Sequence, residues 1–430
     1  MTARRLYRNA RLIDPDSGRD ASGDLLIEGD RIAALGGNLG EGLGADVEIV
    51  DLAGLCLAPG LVDMRVQLRE PGAEHMESIE SGGQAAAAGG VTTMVALPNT
   101  EPPVDDVSVV EFLARRAREV KLAKIHTYAA ATKGMKGREL TEIGLLAADG
   151  AVGFTDGVKA IADALVMRRV LAYAHTFDQL VIQHPEEPSL AGAGEVTEGE
   201  IATRLGLPAI TPLAEVIMVE RDLRLVELTG ARYHVAHVST AAAIDAIRQA
   251  KADGLPVSCD TAPPYFALNE TAIGDYRTFA KLSPPLRSEA DRRAVVEGLR
   301  DGTIDAIASD HAPWDQDSKR LPFSSASYGI VGLETLLPLS LELYHNRHLT
   351  LIEVLRHLTI NPARILGFEV GRLRPGAPAD LVVFDPDAAW RIKTDEFRSK
   401  SKNAPFDGRP VEGRVERTIV DGRTIFERQG

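Results

Sequence analysis

His184, His237 and Asp310 each stand where an apolar run of β character ends, in "LVIQH", "YHVAHVS" and "AIASDH". Imidazoles and carboxylates are the side chains that move protons in hydrolysis, and two imidazoles with a carboxylate and one water make an acceptable tetrahedral zinc set. A second chemistry-bearing stretch is "LVDMRVQLREPG", residues 61–72. Positions i and i+2 of a strand share a face, and strands that open (β/α) barrels often carry two histidines at that spacing, ready for a metal. Here the two positions are Arg65 and Gln67. A guanidinium is permanently cationic and only donates hydrogen bonds, so Arg65 repels a divalent ion, while Gln67 offers a weak carbonyl oxygen.

Such residues need a scaffold that gathers strand ends. Between residues 59 and 369, β-rich runs such as "GVTTMVALPNT", "KIHTYAAAT", "AVGFTDG" and "PVSCDTAP" alternate with helical stretches such as "VSVVEFLARRAREV" and "TAAAIDAIRQAKADG". About eight strand-then-helix units predict an α/β fold, a (β/α)8 TIM-type barrel, with a doubly wound open sheet as the alternative. Arg69, Asn99, Asp156, His184, His237 and Asp310 then fall at strand ends, the catalytic face of a barrel. Residues 1–58 and 370–430 share a different texture, short apolar runs between turn residues with Asp421-Gly422 as a hairpin turn. The two termini are expected to close into one small β-sandwich around the barrel. "AAAAGG" at 85–90 reads as a small-residue helix with a glycine stop, not a phosphate cradle.

The chain has 430 residues, 44% of them apolar, and a formal charge of −14. That field opposes nucleic acid and anionic membranes, so neither is expected as a partner. Cys56 and Cys259 are the two cysteines, too few for a disulfide framework or a thiolate metal site. Met1 to Tyr7 carries charge without an apolar core, and no window reaches the apolar length of a membrane span. A cytoplasmic protein is expected.

The sequence resembles the long, hydantoinase-like dihydroorotases of the amidohydrolase superfamily. The likeness runs nearly end to end through "APGLVDM", "LREPG", "ESGGQAAAAGGVTTMVALPNTEPPVDD", "HVAHVST", "PPLRSEADR", "ASDHAP", "YGIVGLET", "TINPARILG" and "FRSKSKNAPFDGR". It implies a TIM-type barrel with a β-sandwich built from both termini. It also implies a site of two metal ions held by His-x-His, a bridging carboxylate or carboxylated lysine, two more histidines and an aspartate. By this resemblance the His-x-His positions are Arg65 and Gln67, and the bridging position, counted along "FTDG" from Phe154, is Gly157. His184, His237 and Asp310 keep the other three. Lys159 lies two residues beyond the bridging position and reads as an exposed loop lysine.

The resemblance also assigns the substrate carboxylate to Arg69 and Asn99, both kept. Ser283 stands for the family's asparagine in Asn-Pro-Pro-Leu-Arg, and Trp314 for the last histidine of Asp-His-Ala-Pro-His. Pro263-Pro264-Tyr265 and Ser327-Tyr328-Gly329 replace Pro-His-His and Pro-Phe-Gly. Trp314 is expected to plug the former site or to offer an aromatic platform, and Arg65 to pair with Asp310. The expected protein is a dihydroorotase-like chain of pyrimidine biosynthesis without metal cofactor or activity, Asp310 being a vestigial general base. Metal-less chains of this family serve as structural partners of aspartate carbamoyltransferase, so that catalytic chain and a homo-oligomer are the expected partners. The alternative is an active zinc-dependent dihydroorotase or cyclic amidase with one ion on His184, His237 and Asp310. A third reading keeps Arg69 and Asn99 to sense a carboxylated pyrimidine precursor.

Overall fold

The computed structural model describes residues 4–41, 43–44 and 46–429, so Met1–Ala3 of the N-terminal segment lie outside it. Eight parallel strands form the barrel sheet. They are β1 Leu61–Val66, β2 Val91–Ala96, β3 Lys124–Ala129, β4 Ala151–Phe154, β5 Val181–Gln183, β6 Tyr233–Val235, β7 Val257–Thr261 and β8 Ala306–Ile307. They pair in chain order, and a bridge between Val66 and His311, with Gln67 N donating to His311 O at 2.8 Å, joins the last strand to the first. Helices cover the outside, so β1 and β2 are buried along their whole length.

The helix starts are set by their capping residues. Ser78, Asp106, Asp163 and Thr240 accept backbone N–H bonds at the first turns of helices 79–88, 107–120, 164–176 and 241–252. Helix 79–88 ends at Gly89, as "AAAAGG" predicts. One long helix, Leu213–Thr229, has no clear apolar stripe in sequence because Glu215 and Asp222 are buried among its apolar residues. The Glu215 carboxylate accepts from Ser239 and Thr240, and Asp222 from Tyr233, Gln183 and Arg221.

Val62, Met64, Val95, Tyr128, Ile182, Ala236 and Ala306 fill the barrel interior. The filling is partly polar: His234 bonds Ser258 Oγ at 2.7 Å and Asp260 Oδ2 at 2.9 Å. Asp260 Oδ1 accepts from the His237 backbone N–H at 2.6 Å, so the barrel's interior fixes where His237 leaves its strand.

Both termini build a second eight-stranded sheet. Its order runs Arg423–Glu427, Pro410–Val420, Leu381–Arg391, Cys56–Pro59, Arg4–Asp14, Arg19–Glu28, Arg31–Gly36, with Val47–Asp51 beside Arg4–Asp14. Asp421-Gly422 turns between two of these strands. Tyr7, Leu25, Leu57 and Leu381 pack on one side, while Leu6, Leu26 and Val47 form a smaller cluster. Lys124, opening β3, ties this sheet to the barrel: its Nζ lies 2.7 Å from both Asp380 and Asp421. The Asp380 side chain is 3% exposed and the Lys124 side chain 28%, so Lys124→Ala leaves a buried carboxylate short of its counter-ion. We expect a loss of about 2 kcal/mol, read as a lower urea midpoint, with Lys124→Arg losing less.

Candidate functional site

The mouth of the barrel holds a cavity of about 370 Å3, and Arg65, Gln67, Arg69, Asn99, His184 and Asp310 line it together with Ser283 and Trp314. Four of the site residues that follow strands have positive φ: Arg69 58°, Gly157 69°, His237 38° and Asp310 50°. For residues other than glycine this conformation is uncommon and costs about 1–3 kcal/mol. It turns Asp310 and His237, two residue types that tolerate this region better than most, off the ends of their strands.

Arg65 is 2% exposed and occupies the centre of the site. Its Nε donates to Asp310 Oδ1 at 2.8 Å, the ion pair expected from the sequence, and its Nη2 lies 3.3 Å from Gly157 O. Gly157 thus contributes its backbone carbonyl to the Arg65 guanidinium. Asp310 Oδ2 faces His237 Nδ1 at 3.1 Å, His237 Nε2 faces His184 Nδ1 at 2.7 Å, and His184 Nε2 faces Ser283 Oγ at 3.4 Å.

These contacts fix one order of protons. Burial disfavours the ionised Asp310, yet its electrostatic interaction with His237, then the charge of Arg65, then the hydrogen bonds from both outweigh it and hold the carboxyl well below the usual range. Burial, then the Arg65 charge, lowers His237, so its imidazole is neutral. A carboxylate only accepts, so Nδ1 of His237 carries the proton and Nε2 accepts from His184 Nδ1–H. His184 Nε2 lies 3.4 Å from Ser283 Oγ and 3.8 Å from the Glu186 carboxylate.

This arrangement does not fit a metal ion. Two nitrogens on one zinc at about 2.0–2.1 Å and a tetrahedral angle stand about 3.3 Å apart; His184 and His237 close to 2.7 Å around a proton. Asp310 is engaged on both oxygens, and a guanidinium is its nearest cation. Among the described residues, no group of three or more His, Cys, Asp or Glu is arranged to hold an ion. Lys159 is exposed, and Asp156 turns away to bond Thr132. Cys56 and Cys259 are buried free thiols.

Around this core the structure adds contacts that residue types alone did not reveal. Asn99 Nδ2 donates to Gln67 Oε1 at 2.9 Å, so two of the polar positions satisfy each other. Arg69 Nε donates to Pro313 O at 3.1 Å, and its guanidinium lies 4.4 Å from the centre of the Trp314 ring. Among the described residues it has no carboxylate partner, its Nη2 is buried without an acceptor, and burial lowers its pKa to about 10. Trp314 is a wall and not a filling: its Nε1 donates to Tyr328 O at 2.6 Å, and the cavity stays open beside it.

A parallel barrel with its polar residues at the strand ends, carried on a β-rich unit from both termini, defines an amidohydrolase-type protein. The Amidohydrolase family matches residues 288–426, and the family described as Dihydro-orotase-like matches residues 54–243. The chain is similar to a "Dihydroorotase" of Anaplasma phagocytophilum, 48% identical over 98% of this chain and 94% of that protein. It is also similar to a "Dihydroorotase" of Syntrophus aciditrophicus, 44% identical over 98% and 99%. The solved L-hydantoinase (dihydropyrimidinase) of Arthrobacter aurescens superposes with a TM-score of 0.88 at 25% identity, covering 99% of this chain and 96% of that one. The chain belongs to the dihydroorotase family.

Removing the central cation tests the network. Arg65→Met leaves Asp310 with His237 alone, so the variant should lose about 3 kcal/mol in urea unfolding. The His237 pKa should rise, because Arg65 helps to depress it, and an NMR pH titration of the imidazole reads this directly. In the parent protein the His237 pKa lies below the ordinary 6.5. The unfolded chain therefore binds this proton first, and stability from this group is lost as pH falls through about 6.5. In Arg65→Met that loss should shrink.

Proposed function

We propose that this chain is a non-catalytic dihydroorotase-like subunit of pyrimidine biosynthesis that serves as a structural partner of the aspartate carbamoyltransferase catalytic chain. The observation that carries the reading is the position of Arg65, whose guanidinium stands at a metal-ligand position of the family and pairs with Asp310 at 2.8 Å. Opening a cyclic amide needs a hydroxide and a polarised carbonyl, and in this superfamily the metal supplies both. Lowering the pKa of water from about 15.7 to about 7 corresponds to roughly 12 kcal/mol of hydroxide availability. Arg65 donates hydrogen bonds and stabilises negative charge but cannot ionise a water in this way. Nδ1 of His237 is committed to Asp310, and an imidazole, with an ordinary pKa of about 6.5, does not ionise water as a metal does.

A barrel released from chemistry keeps its outer surface. Leu165, Phe177, Leu213, Ile217 and Leu228 are large apolar side chains left exposed on or beside helices 164–176 and 213–229. Such residues supply material for the homo-oligomeric and heterologous contacts of a larger assembly, whose interfaces should each exceed about 1,000 Å2.

Two further readings rest on particular observations. The names of the relatives at 44–48% identity, "Dihydroorotase", favour an active enzyme, which on this chain would need one zinc ion on His184, His237 and Asp310. The Arg69 guanidinium without a carboxylate favours a pocket that still holds a carboxylated precursor without turning it over.

Protein purified without chelators should carry far less than one zinc per chain and leave dihydroorotate intact. Stoichiometric zinc with turnover abolished by His237→Ala would overturn the non-catalytic reading. In native extract the chain should elute from a sizing column with aspartate carbamoyltransferase; elution alone removes the structural role. Calorimetry with dihydroorotate addresses the retained pocket: heat that disappears in Arg69→Ala supports it, and no heat at millimolar ligand eliminates it.

A further inference from the structure

A second cleft, of about 350 Å3, opens between the barrel and the terminal sheet, away from the barrel mouth. Glu334 and Pro338 line it on one side and Trp390, Arg398, Arg414 and Arg428 on the other. In a chain with a net charge of −14, three arginines in one cleft would be expected to find carboxylates easily. They do not. Among the described residues the side chains of the exposed Arg398 and the half-buried Arg414 make no hydrogen bond or ion pair, and Arg414 Nε is buried without a partner. Arg428 Nε donates to Val415 O at 2.9 Å, and the nearest carboxylate, Glu416, lies 3.8 Å away.

The acids of the cleft have other direct partners, one of them Lys393, which also lines it. Glu427 pairs with Arg417, and Glu396 with Lys393 at 2.8 Å. Glu334 accepts the backbone N–H groups of Arg398 at 2.7 Å and Ser399 at 3.1 Å, and burial pushes its pKa up to about 7, which weakens its charge. Aromatic floors hold two of the guanidiniums: Arg414 lies 5.7 Å from the centre of the Trp390 ring, and Arg428 5.6 Å from that of Phe426. Cation–π contacts of this kind hold the planes without satisfying their N–H groups.

We propose that this cleft is a binding site for a small phosphorylated anion, gripped by Arg398, Arg414 and Arg428. The flat, five-donor guanidinium matches a phosphoryl group in charge and in hydrogen-bond geometry. Neighbouring guanidiniums held in a recess repel one another, and a multiply charged anion relieves that repulsion while it takes up the unpartnered donors. Free pyrophosphate and the phosphates of a nucleotide present the same chemistry. Trp390 and Phe426 already carry arginines on one face, so the phosphates and not a base supply the affinity.

The test is calorimetry of the full chain with pyrophosphate, with uridine triphosphate and with uridine. Pyrophosphate and the nucleotide should each bind once per chain, more weakly as salt rises. Affinity should fall about tenfold in Arg414→Gln and in Arg428→Gln, the loss of one charge-assisted contact. Thermal melts of the two variants check that they fold. Arg69→Ala, in the barrel mouth, should bind as the parent does. Equal affinity for pyrophosphate and nucleotide marks phosphate as the whole determinant; tighter nucleotide binding adds the sugar or base, and both support the site. It is overturned by no heat from either phosphate at millimolar concentration, by uridine binding as well as its triphosphate, by parent affinity in both glutamine variants, or by a loss confined to Arg69→Ala.

Discussion

The ion pair between Arg65 and Asp310 organises the mouth of the barrel. Arg65 comes from β1 and Asp310 follows β8, the two strands whose union closes the barrel through Val66, Gln67 and His311. A guanidinium that is 2% exposed needs a carboxylate, because an unpaired buried charge costs several kcal/mol. Arg65 finds it in Asp310, the residue that by family resemblance would serve a metal. A metal ion and Arg65 thus compete for one carboxylate and for one region of positive potential. The protein's own cation is covalently attached, so its effective concentration at the site is that of a neighbouring side chain.

The rest of the mouth follows from this choice. With Asp310 ionised and held, His237 donates from Nδ1 and faces His184 Nδ1 with Nε2, while His184 Nε2 faces Ser283 and Glu186, so each imidazole has both nitrogens turned to polar partners. Gln67, placed where a second histidine would ligate, turns to Asn99. Nearly every polar group that a metal centre would recruit is satisfied inside the protein. The exceptions include two donors, Arg65 Nη1 and Arg69 Nη2, and two carboxylate oxygens, Asp63 Oδ2 and Glu186 Oε2, the latter on the residue whose other oxygen lies 3.8 Å from His184 Nε2.

Much of this was legible in the sequence. The barrel followed from strand and helix periods, and Asp421-Gly422 from turn chemistry, because such signals are local. Arg65 was readable for the same reason: a guanidinium cannot be a metal ligand wherever it stands. The pairing of Gln67 with Asn99 was not legible, since it depends on two strand ends brought side by side. Nor were the positive φ angles at His237 and Asp310: both residue types tolerate that region better than most, but the closed barrel decides which of them adopt it. The helix 213–229 was obscured because Glu215 and Asp222 face the interior, where partners from three other segments neutralise the cost.

The same residues explain how the fold outlasts changes at its mouth. Beneath the site, Asp260 holds the His237 backbone and His234, while Glu215 holds Ser239 and Thr240. These bonds are made below or behind the cavity and involve neither Arg65 nor Gln67. Backbone placement and site chemistry are therefore set by different side chains. Overall likeness to relatives reports the first set, since it counts hundreds of scaffold positions, whereas activity depends on a handful at the strand ends. Sharing nearly half its residues with a dihydroorotase therefore fixes the scaffold of this chain, while the charge at its centre, the Arg65 guanidinium, rests on a few positions that such a likeness barely weighs.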